Sequence, residues 1–134
     1  MQKNFLGIDY GEKRIGLAVG NSTEKIAHTF KTIHKINELD DIVLSKNIQA
    51  FVIGLPLQPN GTEGKTAELA HLFANRLQEK FHLPIYWIDE TKSSVSAENY
   101  LKNTLFMRPD KRKDILDAES ARIILQRWFD TAGT

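Results

Sequence analysis

Two apolar runs in the first twenty residues, Phe5–Ile8 and Ile15–Val19, are joined by the short polar stretch Asp9-Tyr10-Gly11-Glu12-Lys13-Arg14. A glycine turn between two such runs predicts a β-hairpin, so the chain commits to an antiparallel element before any helix appears. The hairpin also holds an anomaly. Asp9 ends a run that otherwise reads as buried strand, where a carboxylate is costly to desolvate unless something compensates it. That compensation has to come from elsewhere in the chain.

The stretch Lys25–Ile33 alternates with period two through Ile26, His28 and Phe30, which predicts a third strand. From Ile36 to Ile48 the spacing becomes helical, with Leu39, Ile42 and Val43 on one side. Ala50–Leu55 is a short unbroken apolar run, as in a central strand covered on both faces. After the loop PLQPNGTEG, a helix is expected from about Lys65 to Phe81, with Ala70, Phe73, Ala74, Leu77 and Phe81 on one stripe and Thr62 or Thr66 as its cap. The loop precedes a helix but lacks the spacing of a P-loop, and it reads as a plain connection. Pro84–Asp89 predicts another buried strand, Ser93–Leu101 a short helix, and 101–116 a basic loop. Asp114–Phe129 closes the chain as a helix with Ala121, Ile124, Leu125 and Trp128 facing inward. An antiparallel meander joined to βαβ crossovers implies an α/β fold, a mixed five-stranded sheet with helices on both faces, in one domain over residues 1–134.

A chain of 134 residues suits one core. It has no cysteine, which excludes disulfides, thiolate catalysis and zinc–cysteine sites. No apolar stretch approaches the ~20 residues of a membrane span, and the N-terminus lacks the layout of a secretory signal, so a cytoplasmic protein is expected. Net charge is only +1, but the cations are grouped. Lys102, Arg108, Lys111, Arg112 and Lys113 crowd the 101–116 stretch, and Lys13 and Arg14 follow the hairpin turn. By itself such a run reads equally as a solvated loop or as a phosphate-binding track.

Acids stand out at three places. Asp9 ends the first strand, Asp89 and Glu90 end the last, and Asp117 lies in line with Ala121, Ile124 and Trp128 at the border of the final helix's apolar face. If the first, fourth and fifth strands are neighbours, Asp9 and Glu90 converge with Asp117 above them. Asp89 and Glu90 point to opposite faces, so one of them joins. Asp114, three residues before Asp117, is a further candidate. Converging carboxylates repel one another, and a hard cation with oxygen ligands removes the difficulty. Mg²⁺ or Mn²⁺, as one or two ions, would also supply an activated water in a chain with no nucleophilic cysteine. Each acid also has a purely structural reading, as a turn residue, a cap or, for Asp117, a partner of Arg112 or Arg122.

Three blocks taken together, GIDYGEKRIGLAVG, FVIGLPLQPNGTEG and IDET followed by LDAESARIILQRWF, resemble a bacterial family of Holliday-junction-resolvase-like proteins. The family is also described as nucleases that mature the 5′ end of pre-16S ribosomal RNA. The resemblance runs nearly end to end. It implies a ribonuclease-H-like fold and a metal-dependent phosphodiesterase with Asp9, Glu90 and Asp117 as its metal-binding and catalytic acids. It further implies nucleic-acid contacts from Lys13 and Arg14, to which the charge pattern adds Lys111, Arg112 and Lys113. Gly54, Leu55 and Pro56 match the start of the family's loop into the second helix. Where the family usually has Asp-Glu-Arg, this chain has Asp89-Glu90-Thr91, and threonine cannot supply arginine's bidentate fork to phosphate.

The expected partner is therefore structured RNA or branched DNA, with ribosomal precursor particles as the setting and a monomer or homodimer as the acting species. Phe106 is a candidate for base stacking. Three other readings remain: a DNA junction resolvase, a non-catalytic RNA-binding assembly factor, and an ATP-handling protein whose phosphate hairpin the first block also resembles. The last needs two such domains.

Overall fold

The computed structural model describes residues 2–90 and 109–131. Strand β1 (Asn4–Tyr10) turns back into β2 (Ile15–Asn21), and β3 (His28–Ile33) adds antiparallel to β2. A 3-10 turn at Ile36–Glu38 and helix α1 (Leu39–Ser45) lead to β4 (Ala50–Leu55), which runs parallel to β1. Helix α2 (Lys65–Phe81) returns the chain to β5 (Ile85–Asp89), parallel to β4, and α3 (Pro109–Thr131) completes the order. The sheet reads β3-β2-β1-β4-β5. This is the expected mixed five-stranded sheet with helices on both faces.

Strand parity sorts the side chains into two cores. Leu6, Ile8, Ile15, Leu17, Phe51 and Ile53 pack with Leu39 and Ile42 of α1 and with Phe73, Ala74 and Leu77 of α2. The alternate residues Phe5, Ala18, Ala50 and Val52 meet Ala121, Ile124, Leu125 and Phe129 of α3. Through the middle of this face runs a seam of glycines, where the helix lies almost on the sheet. A Cβ added at Gly7 would stand 2.7 Å from Leu125 Cβ, and one at Gly54 2.5 Å from Ile124 Cδ1. At Gly16 it would fall 1.9 Å from the carbonyl oxygen of Asp117, closer than atoms can approach. Beyond this seam the strip widens into an aromatic group. Phe5 meets Phe129 edge-on at 5.7 Å, and Tyr86 stacks on Trp128 at 4.4 Å.

Several boundaries differ from expectation. The third strand begins at His28, because Lys25 adopts a left-handed φ of 56° and turns the chain. The helix expected over Ile36–Ile48 is a 3-10 turn followed by seven residues of α-helix, ended near the left-handed Asn47. Neither Thr62 nor Thr66 caps α2. Gly64 occupies the cap with no side-chain bond, while the Thr62 hydroxyl hydrogen-bonds within the loop, to Asn60 and Gln58. Part of the stretch expected as a basic loop is helical: Pro109–Thr131 is one helix, so Lys111, Arg112 and Lys113 lie in the first two turns of α3. Proline at the head of a helix forfeits no intrahelical bond and presets φ. The short helix expected over Ser93–Leu101, and Lys102, Phe106 and Arg108, lie outside the described residues.

The seam predicts the cost of filling it. Gly16→Ala is expected to lose about 1–3 kcal/mol of stability, as overpacking does elsewhere. Urea unfolding followed by circular dichroism reads this directly, and an unchanged midpoint would mean that α3 is not held so closely.

Candidate active site

Asp9 shares its face of β1 with Phe5 and Gly7, and therefore looks toward α3. Its partner across the hairpin is Gly16, the residue on which the Asp117 carbonyl rests. The same contact that fixes the helix therefore sets Asp117 beside Asp9. Glu90 arrives from the other side. Its backbone N–H donates to the Leu55 carbonyl at 3.0 Å, extending the β4–β5 register one step past β5. Tyr86 and Ile88 face α3, so Glu90 has the parity to do the same. A Cβ at Gly54 would lie 3.0 Å from Glu90 Oε2, so the absent side chain leaves room for that carboxylate.

The side chains of Asp9 and Glu90 are hydrogen-bonded to each other. Burial first, then that bond and the charges of Glu90 and Asp117, push the Asp9 carboxyl well above the usual carboxylate range. Asp117 is also raised, mainly by burial and further by Asp114, and is partly relieved by its bond to Arg14 and by the charges of Arg14 and His34. Strand and helix thus bring all three predicted acids into electrostatic contact. Asp89 is exposed and takes no part with its carboxylate, while its carbonyl accepts a 2.9 Å bond from Arg127 Nη1. The Asp114 side chain is exposed, and its carbonyl accepts a 2.7 Å bond from the Thr32 hydroxyl.

The partner of Asp117 is neither Arg112 nor Arg122. Arg14 Nε donates to Asp117 Oδ2 at 2.7 Å, across 103 residues of sequence, while Arg122 bonds Glu119 on its own helix. Arg14 is thus already engaged by an acid, with its side chain still one-third exposed. Lys13 is exposed on the turn, and its carbonyl is 3.1 Å from His34 Nδ1. His34 and this carbonyl contact were not anticipated from the sequence, where the four histidines look unrelated. Lys113 is exposed, whereas Arg112 is half-buried and its Nε has no hydrogen-bond partner among the described residues. A cleft of about 410 Å³, lined by Tyr10, Gly11, Glu12, Lys13, Arg14, Thr66, Leu69 and Asp117, opens beside the acids.

The donors suit a hard divalent cation in chemistry, since all are carboxylate oxygens. Among the described residues no three Asp, Glu or His side chains are drawn tightly enough to ligate one ion together. Asp9 and Glu90 form the close pair. Asp117 stands off with Arg14.

Comparison with known proteins places the chain as a whole. The model of the RuvX family, described as Holliday junction resolvase, matches residues 3–131. A protein of Burkholderia vietnamiensis named "Putative pre-16S rRNA nuclease" is 41% identical over 132 residues, covering 94% of this chain and 88% of its own. One of the same name from Burkholderia multivorans is 39% identical over the same shares. Among solved structures, Thermus thermophilus RuvC superposes with a TM-score of 0.54 at 12% identity, covering 94% of this chain and 93% of its own. RuvC of the same organism in complex with a Holliday junction substrate gives 0.57 at 14%, covering 96% and 94%. At such identities the likeness is one of fold, and the fold is that of ribonuclease H.

Because the Asp9 carboxyl is raised above its unfolded value, ionising it costs stability. The cost is absent below the unfolded pKa of about 3.9, grows as pH rises through the gap, and is complete above the folded pKa. Asp9→Asn is therefore expected to melt higher than the parent at pH 7–8 in chelator-treated buffer, with the advantage shrinking toward pH 4. Equal melting at both pH values would show that Asp9 carries no such burden.

Proposed function

The chain belongs to the RuvX family, and from that premise we propose that it is a divalent-metal-dependent nuclease, one hydrolase domain that trims the 5′ end of pre-16S ribosomal RNA in the cytoplasm. The observation that carries this reading is the hydrogen-bonded pair Asp9–Glu90, at the end of β1 and just past β5 on either side of β4, with Asp117 held beside it by α3. Burying like charges together is costly, and such clusters mark functional sites more often than structural ones.

In this reading Asp9, Glu90 and Asp117 hold one or two Mg²⁺ or Mn²⁺ ions, which when bound supply an activated water and stabilise charge on the scissile phosphate. The chain's own residues do the rest. Lys13 and Arg14 meet the backbone at the mouth of the site, and Lys111, Arg112 and Lys113 meet it from the head of α3. Arg14 has a double role, since its Nε neutralises Asp117 while its terminal nitrogens make no bond among the described residues. Those nitrogens are available to a phosphate oxygen.

RNA is preferred over DNA because relatives near 40% identity across 94% of the chain carry the ribosomal RNA name. The family's own description favours the second reading, cleavage of four-way DNA junctions, for which a homodimer matching the substrate's two-fold symmetry is required. Trimming RNA within a ribosomal precursor particle needs only a monomer. In a third reading the chain binds RNA without cutting it.

Cleavage of a labelled pre-16S 5′ fragment in Mg²⁺ or Mn²⁺ separates these. The parent is expected to cut, a chelator to stop it, and Asp9→Asn or Glu90→Gln to slow it by at least about 100-fold, the scale of losing one preorganised electrostatic partner. Cutting of a four-way junction in place of the RNA moves the function to DNA. Binding of the RNA without turnover moves it to the assembly-factor reading.

A further inference from the structure

The sheet end that carries the acids opens in two directions, and only one of them was foreseen from the charge pattern. The run Lys111–Lys113 lies toward α3. On the opposite side of the sheet a second cleft, of about 540 Å³, lies between α2 and the segment that follows β3. Its walls include Tyr10, His34, Lys35, Asn37, Arg76 and Lys80. It shares Tyr10, Gly11 and Glu12 with the cleft that reaches Asp117, so the two form one channel passing over the hairpin turn. Tyr10 stacks on Phe73 at 4.6 Å and forms part of the wall common to both.

The channel follows a single face of α2. Thr66 and Leu69 line the cleft by the acids, and Phe73, Arg76 and Lys80 line the far one, at steps of three and four residues. From Thr66 to Lys80 this face rises about 21 Å, comparable to roughly six nucleotides of one duplex strand at ~3.4 Å each. The charge along it is positive and largely uncommitted. Lys80 pairs with Asp40 at 3.0 Å, but Lys13, Lys35 and Arg76 form no ion pair among the described residues. Against them stands Glu12 on the rim. Cations spread along a helix face, with none gathered at a point, suit an extended polyanion better than a mononucleotide.

We propose that this cleft is a second nucleic-acid tract, in which Lys35 and Arg76 contact backbone phosphates of the substrate on the α2 side of the scissile position. The proposal rests on the nuclease reading of the acids, and it adds the direction in which the strand leaves them. Contacts of this kind position the substrate and carry no base specificity. Both residues are exposed, so replacing them leaves the cores intact.

The test is fluorescence anisotropy of a labelled pre-16S 5′ fragment in chelator, over a series of KCl concentrations. The proteins are the parent, Lys35→Gln, Arg76→Gln, the double variant, Arg76→Lys, and Lys3→Gln as a control elsewhere on the surface. Each single loss is expected to weaken binding roughly 3- to 10-fold and to reduce the salt slope by about 0.7–0.9. The double variant should lose nearly twice that slope, while Arg76→Lys and Lys3→Gln keep it. In cleavage, KM should rise with kcat unchanged. A double variant with the parent's affinity and slope overturns the tract while leaving the nuclease reading intact. A parent that binds neither this RNA nor a four-way DNA junction overturns both.

Discussion

The carbonyl oxygen of Asp117 resting on Gly16 is the contact from which the rest of the molecule follows. It requires a strand residue with no side chain, and Gly7 and Gly54 extend the same requirement across the next two strands, β1 and β4. Where the helix comes that close, the strands can place only glycine beneath it. The two cores differ in part for this reason: leucine, isoleucine and phenylalanine fill the side under α1 and α2, while under α3 the glycine seam is flanked by Ala18, Ala50 and Val52 and bounded by Phe5 and Tyr86. Because Gly16 is also the hairpin partner of Asp9, the packing contact and the meeting of two acids are the same event.

Charge at the site is balanced locally and in two ways. Asp117 has a counter-ion in Arg14, at 2.7 Å. Asp9 lies against Glu90 and within the field of Asp117, and burial among those like charges is what raises its carboxyl. Like charges brought together in this way favour a proton or a cation. The likeness to RuvC at 12–14% identity is one of fold alone: an architecture can persist while most side chains change.

Much of this was legible beforehand, and the failures have physical causes. Strand β4 and helix α2 were bounded correctly because an unbroken apolar run and a long 3.6-residue stripe are strong periodic signals. The convergence of Asp9 and Glu90 followed from strand adjacency and from the parity that separates Glu90 from Asp89. The glycine spacing in GIDYGEKRIGLAVG contained the seam, but glycines in a hairpin are read first as turn residues, and only the helix shows what lies above them. Nothing in the sequence marks Arg14 as the partner of Asp117, since a pairing across 103 residues leaves no trace in local spacing. The basic run was read as loop because charge hides helical periodicity, although Pro109 stood at its head. The cation stripe on α2 was missed for the opposite reason. Arg76 and Lys80 are ordinary solvent-face residues until the hairpin turn is brought alongside them.

The acids at positions 9, 90 and 117 enter from the first strand, the end of the last strand and the final helix. Asp9 and Gly16 are therefore made long before the helix that covers them, since Asp117 follows Arg14 by 103 residues. Until α3 docks, Arg14 lacks the acid it holds in the folded chain and the groove beneath α3 is open to water.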